Sequence, residues 1–371
     1  MTYLVDFSSG ILEHFVNRRR REVSMSNHSW YFHNNETINE LIWFSYTAEV
    51  VFGVLYNIIA IVGISANALV LVKMCINPKL RTPSNHFITN LAIADLVALL
   101  TLIVTRNLII VFGMGAEMKA FLITIQYTQH LCVQSTAFVL AAMSFTRYHF
   151  TVHPLKARAE WTSSRVWKLC GAIWIISAIL YIPIIFSALY VDDTGGWTRF
   201  VPIPLKRKLF STIRLFPMFI IPAAVILTSY CKIVLTFKQR EKILEKKAAS
   251  SITFPNTVSG QTKKLTRMVT VIILVYFLCW GPYQIYITGL DLRPYFLQST
   301  ALRWKAVVLL TGFLRLLAYI GCALNPFIYA YSNPAFLKVR KPNFKAFFSS
   351  KETSSENTLS TRTAQSHQMS V

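Results

Sequence analysis

The sequence predicts an all-α membrane protein: a seven-transmembrane helix bundle with a short amphipathic helix after the seventh span. Three observations predict it. Of 371 residues, 54% are hydrophobic and only 15% charged, where a soluble domain carries roughly 25%. Seven stretches are long enough and free enough of charge to cross ~30 Å of hydrocarbon, which takes about 20 helical residues. Lys+Arg number 38 against 16 Asp+Glu, a net +22, yet these charges fall in clusters between the apolar stretches. A nucleic-acid binder can have such a total, but not that placement, so no nucleic-acid partner is expected. The chain has no Gly-rich phosphate loop, no HExxH and no Cys/His cluster with metal spacing, and an enzyme is not expected.

The spans, in order, are about 50–72, 87–105, 121–145, 169–191, 215–231, 268–290 and 306–331. The second is interrupted only by Asp95 and the last only by Arg315. Backbone in lipid must satisfy its own hydrogen bonds, which leaves helices or closed barrels. The runs do not alternate as barrel strands of about ten residues would, so they are helices. Net positive charge concentrates in 73–85, 147–168, 232–267 and 332–371, which sum to +18, against +4 for 1–48, 112–120, 190–214 and 290–305. The excess belongs in the cytoplasm. This predicts a multi-pass plasma-membrane protein with an extracellular tail (1–48), a bundle (49–331), a membrane-surface helix (332–348) and a cytoplasmic tail (349–371).

Two sequons, Asn27-His28-Ser29 and Asn35-Glu36-Thr37, fall in the outside tail and make Asn27 and Asn35 glycosylation candidates. Residues 1–25 contain no apolar core of a signal peptide, so the first span is expected to target the chain. Arg18 to Arg21 read as a solvated basic stretch or a processing site, and Met25 is an alternative start. The six cysteines all map to helices or their cytoplasmic ends, so no extracellular disulfide is expected.

Charges at bilayer depth indicate function by default, which singles out Asp95 and Arg315. Asn67, Asn90 and Asn325 add amides that also serve as glue between helices. Pro183, Pro222, Pro282 and Pro326 each remove a hydrogen bond from a helix interior, and one in each of four helices suggests a bundle built to bend.

These residues resemble the motifs of the rhodopsin-like (class A) G-protein-coupled receptors, of the peptide-receptor type, over about four-fifths of the chain. Asn90-Leu91-Ala92-Ile93-Ala94-Asp95 is similar to LAxxD, and Thr146-Arg147-Tyr148 to D/E-R-Y. Cys279-Trp280-Gly281-Pro282 match the CWxP part of FxxCWxP, with Tyr276 where that motif has Phe, and Asn325 to Tyr329 match NPxxY. Asn67, Trp174 and Pro222 fit the first, fourth and fifth helices. The resemblance implies that Arg147 meets a heterotrimeric G protein when the bundle opens. It implies that Trp280, beside Pro282, couples ligand to a swing of the sixth helix, and that Tyr230 and Tyr329 hold the opened state. Asp95 with Thr136 resembles part of a sodium pocket, the one cofactor in view.

Three departures follow from the comparison with that pattern. Thr146 replaces the acid before Arg147, and Thr262 offers none on the sixth helix, which predicts raised basal signalling. Leu122 stands where the family has a cysteine, and the loop 191–214 contains none, so that loop is untethered or held by contacts such as Trp197. Gly321 replaces a polar residue that usually helps to hold sodium.

Gln129 occupies the position where an amine receptor has an acid, and no lysine occurs in 306–331 for a retinal linkage. The expected ligand site is Gln129, His130, Gln134, Tyr283, Gln284, Tyr286, Arg315 and Tyr319. Gln129 with Tyr283 and Arg315 resembles the arrangement in peptide receptors such as the thyrotropin-releasing-hormone type. Amide donors and one cation suit a peptide's carbonyls, amidated end or carboxylate. A basic rim (Arg199, Lys206, Arg207, Lys208, Arg293, Arg303, Lys305) would steer an acidic ligand or touch lipid headgroups. A peptide is the first expectation, and a small anionic or lipid ligand the alternative. Phe336, Phe344, Phe347 and Phe348 under Lys338, Arg340, Lys341 and Lys345 suit the membrane interface. The Ser/Thr-rich stretch 353–370 suits receptor kinases and arrestin. The rival classes are a transporter, which the lack of a repeated half disfavours, and a signalling-silent scaffold.

Overall fold

The computed structural model describes residues 35–112, 119–189, 212–248, 260–292 and 301–332. Among them are seven long helices: α1 (Asn35–Ile76), α2 (Pro83–Phe112), α3 (Lys119–Val152), α4 (Ser163–Leu189), α5 (Ile221–Ala248), α6 (Gly260–Leu292) and α7 (Ala301–Ser332). They run alternately down and up; the end where α1 begins is called upper. A 3-10 turn (Pro78–Leu80) joins α1 to α2, a short helix (Pro154–Glu160) joins α3 to α4, and a π-helical turn (Phe216–Ile220) leads into α5.

Local chemistry sets these boundaries. Pro83 and Pro154 open their helices, where a missing N–H costs nothing and a fixed φ helps. The Asn77 side chain accepts from the Lys79 amide at 3.2 Å and caps the 3-10 turn. Pro183, Pro282 and Pro326 lie inside continuous helices. Pro222 cannot donate back to the preceding turn, and there the chain loosens into the π turn, with the Ile221 amide bonded five residues back to Phe216.

The helices are longer than the apolar spans read from the sequence. α1 begins at Asn35 rather than near residue 50, so the second sequon opens a helix. α5 and α6 run past their spans at the lower end. Asn27, Trp197, the stretch 333–348 and the Ser/Thr tail lie outside the described residues.

Six of the seven helices are long and apolar enough to cross a membrane. α3 is as long but too polar along its length to meet that description, carrying Gln126, Gln129, His130, Gln134, Ser135, Thr136 and Ser144. The reason is its place. It packs against α2, α4, α5 and α6, so few of its side chains face outward and its circumference need not be apolar. The outer helices show the reverse of a soluble protein. Ile58 and Ile61 on α1, Leu227 on α5, and Leu278 and Ile285 on α6 are exposed, while Asn67, Asn90, Asp95, Gln134, Ser135 and Asn325 are buried. Apolar side chains outward and amides inward fit hydrocarbon surroundings.

Close backbone approach holds α1 against α2 and α7. The Asn67 amide donates to Gly63 O at 2.9 Å and across to Cys322 O at 3.2 Å, and the Tyr56 hydroxyl donates to Gly312 O at 2.9 Å. A Cβ on Gly63 would stand 2.6 Å from Leu99 Cδ1 and 3.2 Å from the Ala323 Cα. Gly63→Ala is therefore expected to cost about 1–3 kcal/mol. It should lower the thermal unfolding midpoint of the purified protein. Gly171→Ala, where a Cβ meets nothing within 4 Å, should leave the midpoint unchanged.

Candidate functional site

The upper half of the bundle holds two clusters. The first lies between α6 and α7. Arg315 directs Nε and Nη2 to the Tyr283 hydroxyl, each at 3.3 Å, with its guanidinium 5.7 Å from that ring. Tyr283 meets Trp280 edge-on at 6.3 Å, and Trp280 meets Tyr319 at 5.6 Å. The structure thus brings Tyr283, Arg315, Tyr319 and Trp280 into one contiguous set. Gln284 is buried and Tyr286 half-buried on α6, and the Tyr286 hydroxyl has no hydrogen-bond partner.

The second cluster joins α3, α4 and the start of α5. His130 Nδ1 lies 2.8 Å from Gln126 O, and its Nε2 lies 3.3 Å from Arg214 Nη1. Its ring stands 5.3 Å from that of Tyr181. Tyr181 donates to Gln134 Oε1 at 3.3 Å, and Gln134 Nε2 donates to Pro217 O at 2.8 Å. Gln134 is completely buried with both ends of its amide bonded to protein, so it ties three elements together. Gln129 sits half-buried one residue from His130.

Sequence reasoning placed Arg214 in a loop and missed it. A single cation between Ile213 and Leu215-Phe216 was the available signal. Arg106 was also passed over. Its guanidinium lies 5.5 Å from the Tyr56 ring.

Midway down, Asn325 donates to Asp95 at 2.8 Å, and Trp174 donates to Asn90 at 2.8 Å. Asp95, Ser135 and Thr136 are buried, and the Ser135 hydroxyl is unpartnered. These oxygens fit a sodium ion, but Gly321 supplies none. A Cβ there would already stand 3.0 Å from the Cys279 Cβ, so the close approach of α6 and α7 leaves no room for a polar side chain.

At the lower end Arg147 is buried, with Nε unpartnered. The Thr146 hydroxyl turns back to Ala142 O at 2.7 Å. Tyr230 accepts from Thr270 at 3.1 Å and donates to Thr266 O at 3.4 Å, and Arg240 donates to Thr151 O at 2.9 Å. Tyr148 lies under the Lys232 ammonium, 5.1 Å from its ring centroid. Tyr329 is fully buried and Pro326 sits within α7. α5, α6 and α3 are thus tied by neutral hydrogen bonds and one guanidinium–carbonyl contact.

The family model for the 7 transmembrane receptor (rhodopsin family) matches residues 66–329. The chain belongs to that family. As a rhodopsin-family receptor it is a multi-pass membrane protein of the plasma membrane and not an enzyme. It is 28% identical over 295 residues to a somatostatin receptor type 5 of Bos taurus, covering 77% of this chain and 74% of that one. It is 26% identical to the KiSS-1 receptor of Homo sapiens, with 74% and 70% covered. It is 28% identical to a type-1 angiotensin II receptor of Meleagris gallopavo, with 76% and 77% covered.

Gln134→Leu would leave Pro217 O and the Tyr181 hydroxyl without their partner in a buried place. An unsatisfied buried group costs about 1–3 kcal/mol, so this receptor variant is expected to unfold at a lower temperature. Gln129→Leu, at a half-buried position, should change that temperature much less.

Proposed function

We propose that this receptor binds an extracellular peptide and activates heterotrimeric G proteins by an outward swing of α6. In this reading α3 is the third span and brings the number of membrane spans to seven, the amino terminus is extracellular, and the stretch after α7 lies on the membrane surface. The observation that carries the proposal is the contiguous set from Arg315 through Tyr283 to Trp280, which brackets Pro282 on α6. A ligand group that moves Arg315 displaces Tyr283, and Tyr283 leans on Trp280, beside the one residue in the inner half of α6 that cannot hold the helix straight. The somatostatin, KiSS-1 and angiotensin names of its relatives favour a peptide. Three cations in the upper half (Arg106, Arg214, Arg315) favour an acidic group on it, and they are also why a small anionic ligand is the second reading. Receptor kinases and arrestin would engage the Ser/Thr tail.

Arg147 is the contact for the G protein, and among the described residues no ion pair holds it. An ionised neighbour would strengthen its hydrogen bonding by about 1.5–3 kcal/mol. Thr146→Asp should therefore lower basal nucleotide exchange on a responsive heterotrimer roughly tenfold, and unchanged exchange would remove this account of Arg147. The decisive experiment measures exchange on a panel of purified heterotrimers with wild-type receptor and Arg147→Ala, adding tissue peptide extract with or without protease treatment. Exchange that needs Arg147 and stimulation that protease destroys are expected. Silence on every heterotrimer would return the chain to the scaffold reading.

Sodium at Asp95 belongs to the same proposal, with Ser135 and Thr136 as the other oxygen donors. Sodium chloride should raise the unfolding temperature of wild-type receptor above that in choline chloride, and Asp95→Asn should abolish the difference. Equal temperatures in the two salts for wild type would show that Gly321 has removed the site.

A further inference from the structure

The geometry points to Arg214 and His130 as a carboxylate-binding subsite, separate from the Arg315–Tyr283 pair, that takes an acidic group of the ligand. The inference rests on the reading above that the upper half of the bundle receives an external ligand.

Arg214 lies one turn ahead of the π turn and is held there by its backbone, whose carbonyl accepts from the Met218 amide at 3.2 Å. Its side chain is only 9% exposed. Nη1 is 3.3 Å from His130 Nε2, and both Nε and Nη2 lack a hydrogen-bond partner. None of the ion pairs among the described residues includes it. A guanidinium stays protonated in a protein, so a full charge with two idle donors is held in a buried place. Such an arrangement is costly unless something completes it.

The histidine orients this charge without cancelling it. The Gln126 carbonyl, 2.8 Å from His130 Nδ1, can only accept, so Nδ1 carries the proton. Nε2 then has the lone pair and accepts from Arg214 Nη1. A neutral imidazole in this tautomer fixes the fork and leaves its charge intact. The tyrosine ring 5.3 Å behind the imidazole belongs to Tyr181, which the fully buried Gln134 holds in turn.

The two idle donors belong to one edge of the guanidinium, the side formed by Nε and Nη2. That edge matches the two oxygens of a carboxylate, which it grips bidentately. In Arg315 the same edge is directed at the Tyr283 hydroxyl. Of these two arginines, Arg214 alone has its carboxylate-matching edge unfilled among the described residues.

The test uses full-length purified receptor and its thermal unfolding temperature, so it needs neither a G protein nor the natural ligand. Three probes are compared at matched ionic strength: N-acetyl-phenylalanine, with a terminal carboxylate; N-acetyl-glutamic acid amide, with a side-chain carboxylate; and N-acetyl-glutamine amide, neutral and of the same size. A carboxylate probe should raise the wild-type temperature saturably, by roughly 2–4 °C at about tenfold excess over its dissociation constant. The neutral probe should not. Arg214→Gln should lose the rise and Arg315→Gln should keep it. Without any probe, Arg214→Met should raise the unfolding temperature, because it removes an unpaired buried charge.

Which carboxylate acts separates a peptide's terminus from an acidic side chain. No rise in wild type, or an equal rise in Arg214→Gln, overturns the assignment. So does a lower temperature for Arg214→Met, which would mark a structural pair with Asp192 or Asp193. A carboxylate rise in a receptor that no peptide stimulates would uphold this subsite while the peptide reading fails. Peptide-driven exchange without any such rise would do the opposite.

Discussion

The bundle is organised around one helix that could not stand in lipid by itself. α3 carries glutamines, a histidine, serines and threonines along most of its length, and unsatisfied polar groups in hydrocarbon cost several kcal/mol each. Every neighbour contributes to covering it. α4 supplies Ala178 O to the Tyr127 hydroxyl at 2.9 Å, the start of α5 supplies Pro217 O to Gln134, and α6 closes the inner side. The polarity that makes α3 unfit for an outer position also puts His130 and Gln134 of the second cluster on it.

The same logic accounts for the thinning of polarity near Trp280. α7 approaches α6 so closely at Gly321 that even a methyl would press on Cys279. A tight, apolar contact replaces a hydrated one at the depth where Trp280 and Tyr319 stack edge to face. Such a joint transmits displacement by contact, because packed side chains at crystal-like density do not absorb it. The resemblance alone read Gly321 as a loss from a sodium pocket. The geometry adds what is gained in exchange, a short lever between the upper clusters and the helix that carries Pro282.

The helices were legible from charge-free length, and the inward face of α2 and α7 from Asp95, Asn90 and Asn325, since a lone polar group in a long apolar run has only the bundle interior to face. Arg315 was legible as inward-facing for the same reason, and its association with Tyr283 only through the resemblance. The extension of α1 to Asn35 was not, because the added turns include Glu40 and Glu49 and a span count stops at charge. The polarity of α3 read as a site rather than as a sign of centrality. Arg214 was hidden by the boundary itself. It lies one residue before the apolar run, and which way a terminal side chain turns depends on the π turn below it and on His130, which belongs to a different helix. That is tertiary information, and no local pattern encodes it.

The departures at the two ends of the bundle would, in the proposed mechanism, act on the same equilibrium. At the lower end Tyr230, Thr270 and Thr266 join α5 to α6 by neutral hydrogen bonds worth about 0.5–1.5 kcal/mol each, less than the 1.5–3 kcal/mol of bonds to charged groups. At the upper end, Arg214 carries a charge that a bound anion would relieve. A ligand shifts a two-state equilibrium only by its differential affinity for the two states. The anion subsite lies on α3 and the α5 approach, while the Trp280 lever lies on α6 and α7. A ligand bridging Arg214 and Arg315 would join the two clusters, and its affinity would then depend on their separation, which is how, in the proposed mechanism, binding would be coupled to a bend at Pro282.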